Sequence, residues 1–239
     1  MTRIARRFRL IAILAIATAV PALVCGQTAA ALDVGDQIVS TTVKMKNVDE
    51  SQVSIADVAG AKGTLVLFTC NACPFVKAWE ERIATLGNQF RAKGIGVIAV
   101  NSNDPSVNGE DSFARMQERA RNRGFEFPYA VDAGSRVAQS MGATRTPEAF
   151  LFDAKGKLVY HGVIDDNAHA ADDVEQHYLR DALQALVDGT EVAVKTTKAL
   201  GCTIKFYPEA GLSGEKAHQD TSSYLLNAVL GPRQRPGRR

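Results

Sequence analysis

Two cysteines lie three positions apart in the stretch "LFTCNACPF", residues 67–75, as Cys70 and Cys73. A C-x-x-C pair suits dithiol redox chemistry, half of a metal site or a structural disulfide. In disulfide exchange the attacking species is a thiolate, and a helix N-terminus lowers a cysteine pKa to about 3.5–7.5. The chemistry open to this pair therefore depends on the elements that flank it.

A strand and a helix are predicted on the two sides of the pair. Residues 63–68, "GTLVLF", form a short apolar run typical of a buried strand. Apolar residues then recur at helical spacing and predict a helix from residue 74 to about 91: Val76, Trp79, Ile83, Leu86 and Phe90. This arrangement predicts Cys70 at the helix N-terminus as the nucleophile. Cys73, one turn inside, is predicted to be the resolving thiol.

The remaining pattern alternates strands and helices. A second apolar strand, "GIGVIAV", leads through a polar loop to a helix around Phe113–Ala120, and "FPYAVD" and "SRVAQSMG" predict a short strand and a short helix. Strands "EAFLFD" and "LVYHGVI" then precede a last helix over residues 172–188. We predict an α/β, thioredoxin-like, three-layer α/β/α fold with a central mixed sheet and an N-terminal β-hairpin extension.

Three segments are predicted along the 239 residues: a signal peptide at 1–31, a thioredoxin-like domain at 32–206 and a basic, disordered tail at 207–239. Four arginines precede an apolar run over residues 10–24, as in a secretory signal. We expect a periplasmic or secreted protein without stable membrane insertion after signal removal. A lipid anchor at Cys25 is the competing interpretation. The acidic body argues against a nucleic-acid partner.

Further along the chain, "GATRTPEAF" places Thr146 and Pro147 directly before a predicted strand, where proline is poorly tolerated without a specific role. Glu148 follows as a candidate buried acid, although a surface carboxylate fits the pattern equally well. Cys202 is either a third redox thiol that exchanges with Cys70, a buried small side chain or a free cysteine.

Several stretches together resemble the thioredoxin-fold redoxin, or peroxiredoxin-like, family: "LVLFTCNACPFVKAWEERI", "GVIAVNSND", "TPEAFLFD", "YHGVIDDN" and "GCTIKF". The resemblance spans about residues 33–206. It implies a thiol-disulfide redox protein with Cys70 as the characteristic cysteine. It also implies that Pro147 is cis and that the backbone of Thr146 pairs with an extended substrate.

The chain departs from that family at two positions. Ala72 stands where the family commonly has histidine, and its presence predicts a milder, more reducing pair. Val163 replaces an arginine, so any role of that arginine is absent here.

Two other functions remain open from the sequence. Peroxiredoxins carry proline seven residues and threonine or serine three residues before the reactive cysteine, whereas this chain has Gly63 and Leu67 before Cys70. Peroxide reduction is therefore the second choice. A Cu(I) metallochaperone would use Cys70, Cys73 and either His161 or His169. The main interpretation requires no cofactor and no metal, and its partners are protein or small-molecule thiols and disulfides.

Overall fold

The computed structural model describes residues 31–208, so the predicted signal peptide, apart from Ala31, and most of the predicted tail lie outside the described part. The strands are β1 (Met45–Asn47), β2 (Gln52–Val53), β3 (Gly63–Phe68), β4 (Ile95–Asn101), β5 (Tyr129–Val131), β6 (Arg145–Thr146), β7 (Glu148–Asp153), β8 (Leu158–Gly162) and β9 (Cys202–Thr203). The α-helices are α1 (Pro74–Arg91), α2 (Phe113–Asn122), α3 (Arg136–Met141) and α4 (Tyr178–Asp188).

Seven strands form one mixed sheet in the order β2-β1-β5-β4-β3-β7-β8. β3, β4 and β5 are parallel, whereas β7, β8 and the β1–β2 hairpin pair antiparallel with their neighbours. The predicted N-terminal hairpin is therefore an extension of the sheet through β1 and β5. β6 and β9 form a separate two-stranded sheet.

Alternating side chains of the central strands build a core on each face of the sheet. Leu65 and Leu67 of β3 join a cluster with residues of α1, α2 and α4. Val66 and Phe68 point into a second cluster that includes residues of α3. Because successive strand residues point to opposite faces, a fully apolar strand such as β3 requires cover on both sides. The three-layer α/β/α prediction is confirmed.

The last helix is shorter than predicted. A single 3-10 turn covers Ala171–Asp173, and α4 begins only at Tyr178. The intervening backbone bonds to the loop after β8 instead, since the Asp166 N–H donates to the Gln176 carbonyl at 3.2 Å and the Leu179 N–H donates to the Ile164 carbonyl at 3.1 Å. Tertiary hydrogen bonds here replace the helical bonds that the apolar spacing predicted.

Candidate active site

The cysteine pair lies in the loop between β3 and α1, at the carboxyl edge of the parallel strands. Cys73 is the N-cap residue of α1, and Pro74 occupies the first helical position. The prediction that Cys73 lies one turn inside the helix, with Cys70 at the N-terminus, is therefore wrong. Proline lacks a backbone N–H and suits the first helical position, so the helix begins after Cys73.

A buried carboxylate fixes the loop between the two cysteines. Asp111 accepts hydrogen bonds from the Asn71 N–H at 2.6 Å and the Ala72 N–H at 3.2 Å through Oδ1, and from Asn103 Nδ2 at 2.9 Å through Oδ2. The Asn71 side chain in turn donates to the Glu110 carbonyl and accepts from the Tyr129 hydroxyl. The conformation of the C-x-x-C loop thus depends on residues about 40 positions further along the chain.

Thr146 contacts both thiols. The Cys70 sulfur lies 3.2 Å from Thr146 Oγ1, and the Cys73 thiol, in its protonated form, donates to the Thr146 carbonyl oxygen at 3.1 Å. The Thr146–Pro147 peptide bond is cis. The structure therefore brings together the four residues predicted for the site, namely the two cysteines, Thr146 and Pro147.

The two thiols are coupled, and their pKa values move in opposite directions. The neighbouring Cys70 thiol is the largest effect that lowers the pKa of Cys73, and the Cys202 thiol and the Val76 N–H act in the same direction. The pKa of Cys70 is raised, first by its hydrogen bond to Cys73, then by burial and by the charge of Asp111. The helix-terminus effect predicted for Cys70 acts on Cys73, since Cys73 is the N-cap residue of α1 and the Val76 N–H of the first turn lowers its pKa.

Replacing Asp111 with asparagine is expected to lower the pKa of Cys70, because a negative charge beside a thiol disfavours its thiolate. Because Cys73 makes the largest contribution to raising the Cys70 pKa, the shift is measured by titrating thiolate ultraviolet absorbance in chains that carry Cys73→Ser and Cys202→Ser, where Cys70 is the remaining site thiol. Glu110→Gln is the matched control, since Glu110 is exposed and its backbone carbonyl, rather than its carboxylate, contacts the loop. An unchanged or higher Cys70 pKa in Asp111→Asn would contradict this electrostatic role.

Cys202 also belongs to the site. It pairs with Thr146 across β6 and β9 and packs against the cluster of Cys70, Cys73 and Val76. Its thiol and its backbone N–H both interact with Cys73. Cys202 therefore lies beside both thiols of the pair and interacts with Cys73. All three cysteines are free thiols in this structure.

A cavity of about 220 Å³ opens beside the thiols. Its walls come from the cysteine loop, from the loop after β4 and from the β9 segment, and they include Cys70, Cys73, Pro74, Asn103, Val107 and Cys202. Val107, at 60% relative exposure, provides an apolar rim. The cavity is thus large enough for a small thiol or one side chain of a partner.

Glu148 is buried and organises the strand before the cis proline. Its Oε2 accepts from the N–H groups of Thr144 and Arg145, both at 2.8 Å, and its Oε1 lies 2.7 Å from His161 Nε2. His161 also stacks on Phe150, with ring centroids 4.2 Å apart. The surface alternative for Glu148 is therefore wrong, and this carboxylate holds the backbone at the start of β6.

The other candidate metal ligand, His169, packs its ring against Phe75, with centroids 6.1 Å apart. Within residues 31–208, no group of three or more His, Cys, Asp or Glu side chains is arranged to hold a metal ion. No helix in that same range has the length and apolarity required to cross a membrane.

Asp111 and Asn103 are site residues that the sequence reasoning missed. Both follow β4, and the loop after a parallel strand lies at the same edge of the sheet as the cysteines. Within that loop, however, "NSNDPSVNGED" offers several carboxylates and amides, and nothing in their spacing singles out Asp111.

Comparisons with known proteins agree with this architecture. A model of the Redoxin family matches residues 33–178. A hypothetical protein of Sinorhizobium meliloti is 31% identical, with a TM-score of 0.69, over 74% of this chain and 97% of that one. An uncharacterized conserved protein from Geobacillus kaustophilus is 34% identical, with a TM-score of 0.68, over 74% of this chain and 94% of that one.

A more distant relative carries a functional name. The chain is 23% identical over 125 residues to the thiol-disulfide oxidoreductase ResA of Halalkalibacterium halodurans, and the aligned region covers 52% of this chain. The match spans 65% of that relative, which is less than two thirds of its length.

Proposed function

Since the chain belongs to the Redoxin family, we propose that it is a thiol-disulfide oxidoreductase that exchanges electrons through Cys70 and Cys73. The observation that carries this proposal is the contact of both thiols with Thr146, directly before the cis proline. The name of the ResA relative supports the same class of reaction. Protein or small-molecule disulfides are the proposed substrates.

The proposed reaction begins at Cys73, because the helix N-terminus and the neighbouring thiol favour its thiolate. The Cys73 thiolate attacks a partner disulfide, forms a mixed disulfide and releases one partner thiolate. Cys70 then loses its proton and attacks the Cys73 sulfur, so the Cys70–Cys73 disulfide forms and the second partner thiolate leaves. Two electrons pass from the dithiol to the partner, and the reverse sequence oxidises a partner dithiol.

This assignment of roles reverses the expectation from the sequence, in which Cys70 attacks first. The two sulfurs are almost equally buried, at 2% and 3% relative exposure of their residues, so exposure does not distinguish them. The position of Cys73 at the N-cap does distinguish them, because Cys70 lies beside the Asp111 carboxylate rather than at the helix end.

Turnover is tested by reduction of insulin with dithiothreitol as the electron donor, in full chains that all carry Cys25→Ser. Cys70→Ser and Cys73→Ser are each expected to reduce the rate to that of dithiothreitol alone, because either change removes one half of the exchanging pair. The Cys25→Ser parent is the control. Catalysis that persists in both variants would refute the proposed function.

The order of attack is tested in chains that also carry Cys202→Ser, so that one site thiol remains in each variant. At mildly acidic pH, Cys70→Ser is expected to form a mixed disulfide with an aromatic disulfide probe faster than Cys73→Ser does. Faster reaction of Cys73→Ser would show that Cys70 attacks first. The proposed oxidoreductase activity would still stand.

Export to the periplasm or the cell exterior is also part of the proposal. It is supported by the four arginines and the apolar run at residues 10–24. N-terminal sequencing of protein recovered from the host envelope is expected to give a start near residue 32. A start at Met1, or a lipid on Cys25, would contradict cleavage there.

A further inference from the structure

The C-terminal segment Gly201–Tyr207 lies across the active site and is held along its length. Its backbone and side-chain bonds reach β6, the loop after β4 and the start of α3. Near β6, Arg145 Nη1 donates to the Gly201 carbonyl and the Ile204 N–H donates to the Thr144 carbonyl, both at 2.9 Å. In the loop after β4, Asn103 Oδ1 accepts from the Lys205 N–H at 2.8 Å and the Asp104 N–H donates to the Lys205 carbonyl at 2.7 Å. At the start of α3, Ser135 Oγ accepts from the Tyr207 N–H at 3.1 Å. Ile204 is buried in the core. This segment is therefore part of the site rather than a loose tail.

β9 occupies the edge of Thr146 that the family resemblance assigns to an extended substrate. Thr146 pairs with Cys202 and Arg145 with Thr203 in an antiparallel register. The approach is close enough that a Cβ at Gly201 would clash with the Thr146 carbonyl oxygen. The glycine thus permits the strand to lie against the cis-proline turn, in the manner of a bound peptide.

The side chain on this strand is a cysteine, and it faces Cys73. Both the thiol and the N–H of Cys202 interact with the Cys73 sulfur. A partner protein in a mixed disulfide would present the same groups, namely a cysteine on an extended strand beside the residue before the proline. Cys202 therefore has the backbone placement and the chemistry of a substrate cysteine.

We propose that Cys202 is a third redox thiol, which exchanges with Cys73 as a substrate cysteine built into the chain. This inference rests on the proposed function, since it takes Cys73 as an exchanging thiol. From the Cys70–Cys73 disulfide, Cys202 loses its proton and its sulfur attacks the Cys73 sulfur. The Cys73–Cys202 bond forms, the Cys70–Cys73 bond breaks, and Cys70 leaves as a thiolate that takes up a proton. The protein as a whole neither gains nor loses electrons in this step.

The exchange has a pH dependence that follows from the environment of Cys202. Burial, together with its interaction with Cys73, raises the pKa of Cys202 to about 11. In the Cys70–Cys73 disulfide Cys73 carries no charge, so burial is the cause that still raises the pKa of Cys202, and the fraction of attacking thiolate increases about tenfold per pH unit below that raised pKa. The positive groups on the facing elements, Arg145 and Lys205, oppose this shift without cancelling it.

Disulfide mapping tests the proposal in full chains that carry Cys25→Ser. Trypsin places Cys70 and Cys73 on peptide 63–77 and Cys202 on peptide 199–205, so only a bond to Cys202 links the two peptides. After oxidation with oxidised glutathione, Cys70→Ser is expected to give at least about tenfold more of the linked peptides than Cys73→Ser, because the neighbouring thiol has a high effective concentration. With all three site cysteines present, the initial rate at which the linked form appears should increase with pH.

Gly201→Ala tests the role of the strand without removing a thiol. In the Cys70→Ser background it is expected to decrease the rate of linking by about tenfold, since the added methyl group displaces β9 from Thr146. Gly109→Ala is the matched control, because a Cβ there meets nothing within 4 Å.

The outcomes separate this inference from the proposed function. Absence of the linked peptides in Cys70→Ser, or equal linking in Cys73→Ser, would overturn the role of Cys202. If insulin reduction by the parent persists in that case, the proposed function stands without it. Linked peptides in a parent that fails to reduce insulin would instead support the internal exchange and refute turnover with partner proteins.

Discussion

The reduced cysteine pair is expected to titrate in two widely separated steps, the first below neutral pH and the second above the ordinary cysteine range. The thiols of Cys70 and Cys73 are coupled, so the two proton losses belong to the pair, and Cys73 holds the larger share of the first thiolate because it is the N-cap residue of α1. The helix N-terminus stabilises the first thiolate, whereas burial and Asp111 oppose the second. An ordinary cysteine with a pKa of about 8.5 would carry less than about a tenth of a thiolate at pH 7.

Thiolate ultraviolet absorbance of the reduced protein measures the first step and does not require access of a reagent to the buried sulfurs. Close to one thiolate per chain is expected at pH 7 in the Cys25→Ser parent. Cys73→Ser is expected to remove it. Cys70→Ala is expected to raise the pKa of Cys73, because the Cys70 thiol makes the largest contribution to lowering it and alanine, unlike serine, has no donor to replace it. A parent without thiolate at pH 7 would contradict the assignment.

The lowered pKa of Cys73 also makes the stability of the reduced protein depend on pH. The folded pKa of Cys73 is lowered, so between its folded and unfolded values the unfolded state binds more protons than the folded state. The free energy of unfolding of the reduced protein should therefore increase with pH across that window. The contribution is complete above the unfolded pKa and is lost as the pH decreases through the folded pKa. Oxidised protein, which has no Cys73 thiol, should lack this contribution.

Asp165→Ala is expected to lower the free energy of unfolding by about 3–5 kcal/mol, as found when one partner of a buried ion pair is removed. Asp165 is 3% exposed and lies after β8. Its Oδ1 accepts from Trp79 Nε1 at 2.6 Å, and its Oδ2 accepts from Arg82 Nη1 at 2.5 Å. The alanine would leave the buried indole N–H and the guanidinium without this acceptor. Because both partners belong to α1, the loss weakens the docking of the helix whose N-terminus carries Cys73.

Denaturant unfolding measures this effect, with Asp166→Ala as the matched control. Asp166 is exposed and accepts one hydrogen bond, from the Glu175 N–H at 3.2 Å, so its loss should cost less than about 1 kcal/mol. Asp165→Asn should lie between the two, because an amide oxygen can still accept from Trp79 while the charge opposite Arg82 is lost. Equal stability of Asp165→Ala and Asp166→Ala would refute the structural role of the buried network.

Periodicity and local chemistry in the sequence determined the layered fold and two motifs of the site, the cysteine pair and Thr146–Pro147. The apolar run of β3 requires packing on both faces of that strand. The helical spacing from Val76 to Phe90 requires packing on one face of α1. These constraints act over short distances along the chain, so they can be inferred from it. The cysteine pair and the Thr146–Pro147 turn were predicted for the same reason, since each is a motif of adjacent residues.

Only the tertiary structure decided how the thiols differ. Asp111 binds the cysteine loop although it lies about 40 residues further along the chain. Cys202, near the C-terminal end of the domain, lies on β9 beside Cys73. Because α1 begins directly after Cys73, the helix N-terminus lies at Cys73 and not at Cys70, as the sequence had predicted. A thiol pKa depends on charges and hydrogen-bond donors within a few ångströms, and those neighbours are fixed by packing rather than by sequence spacing. The sequence therefore determined which cysteines form the pair, whereas the fold decided which one holds the charge and which third thiol lies beside it.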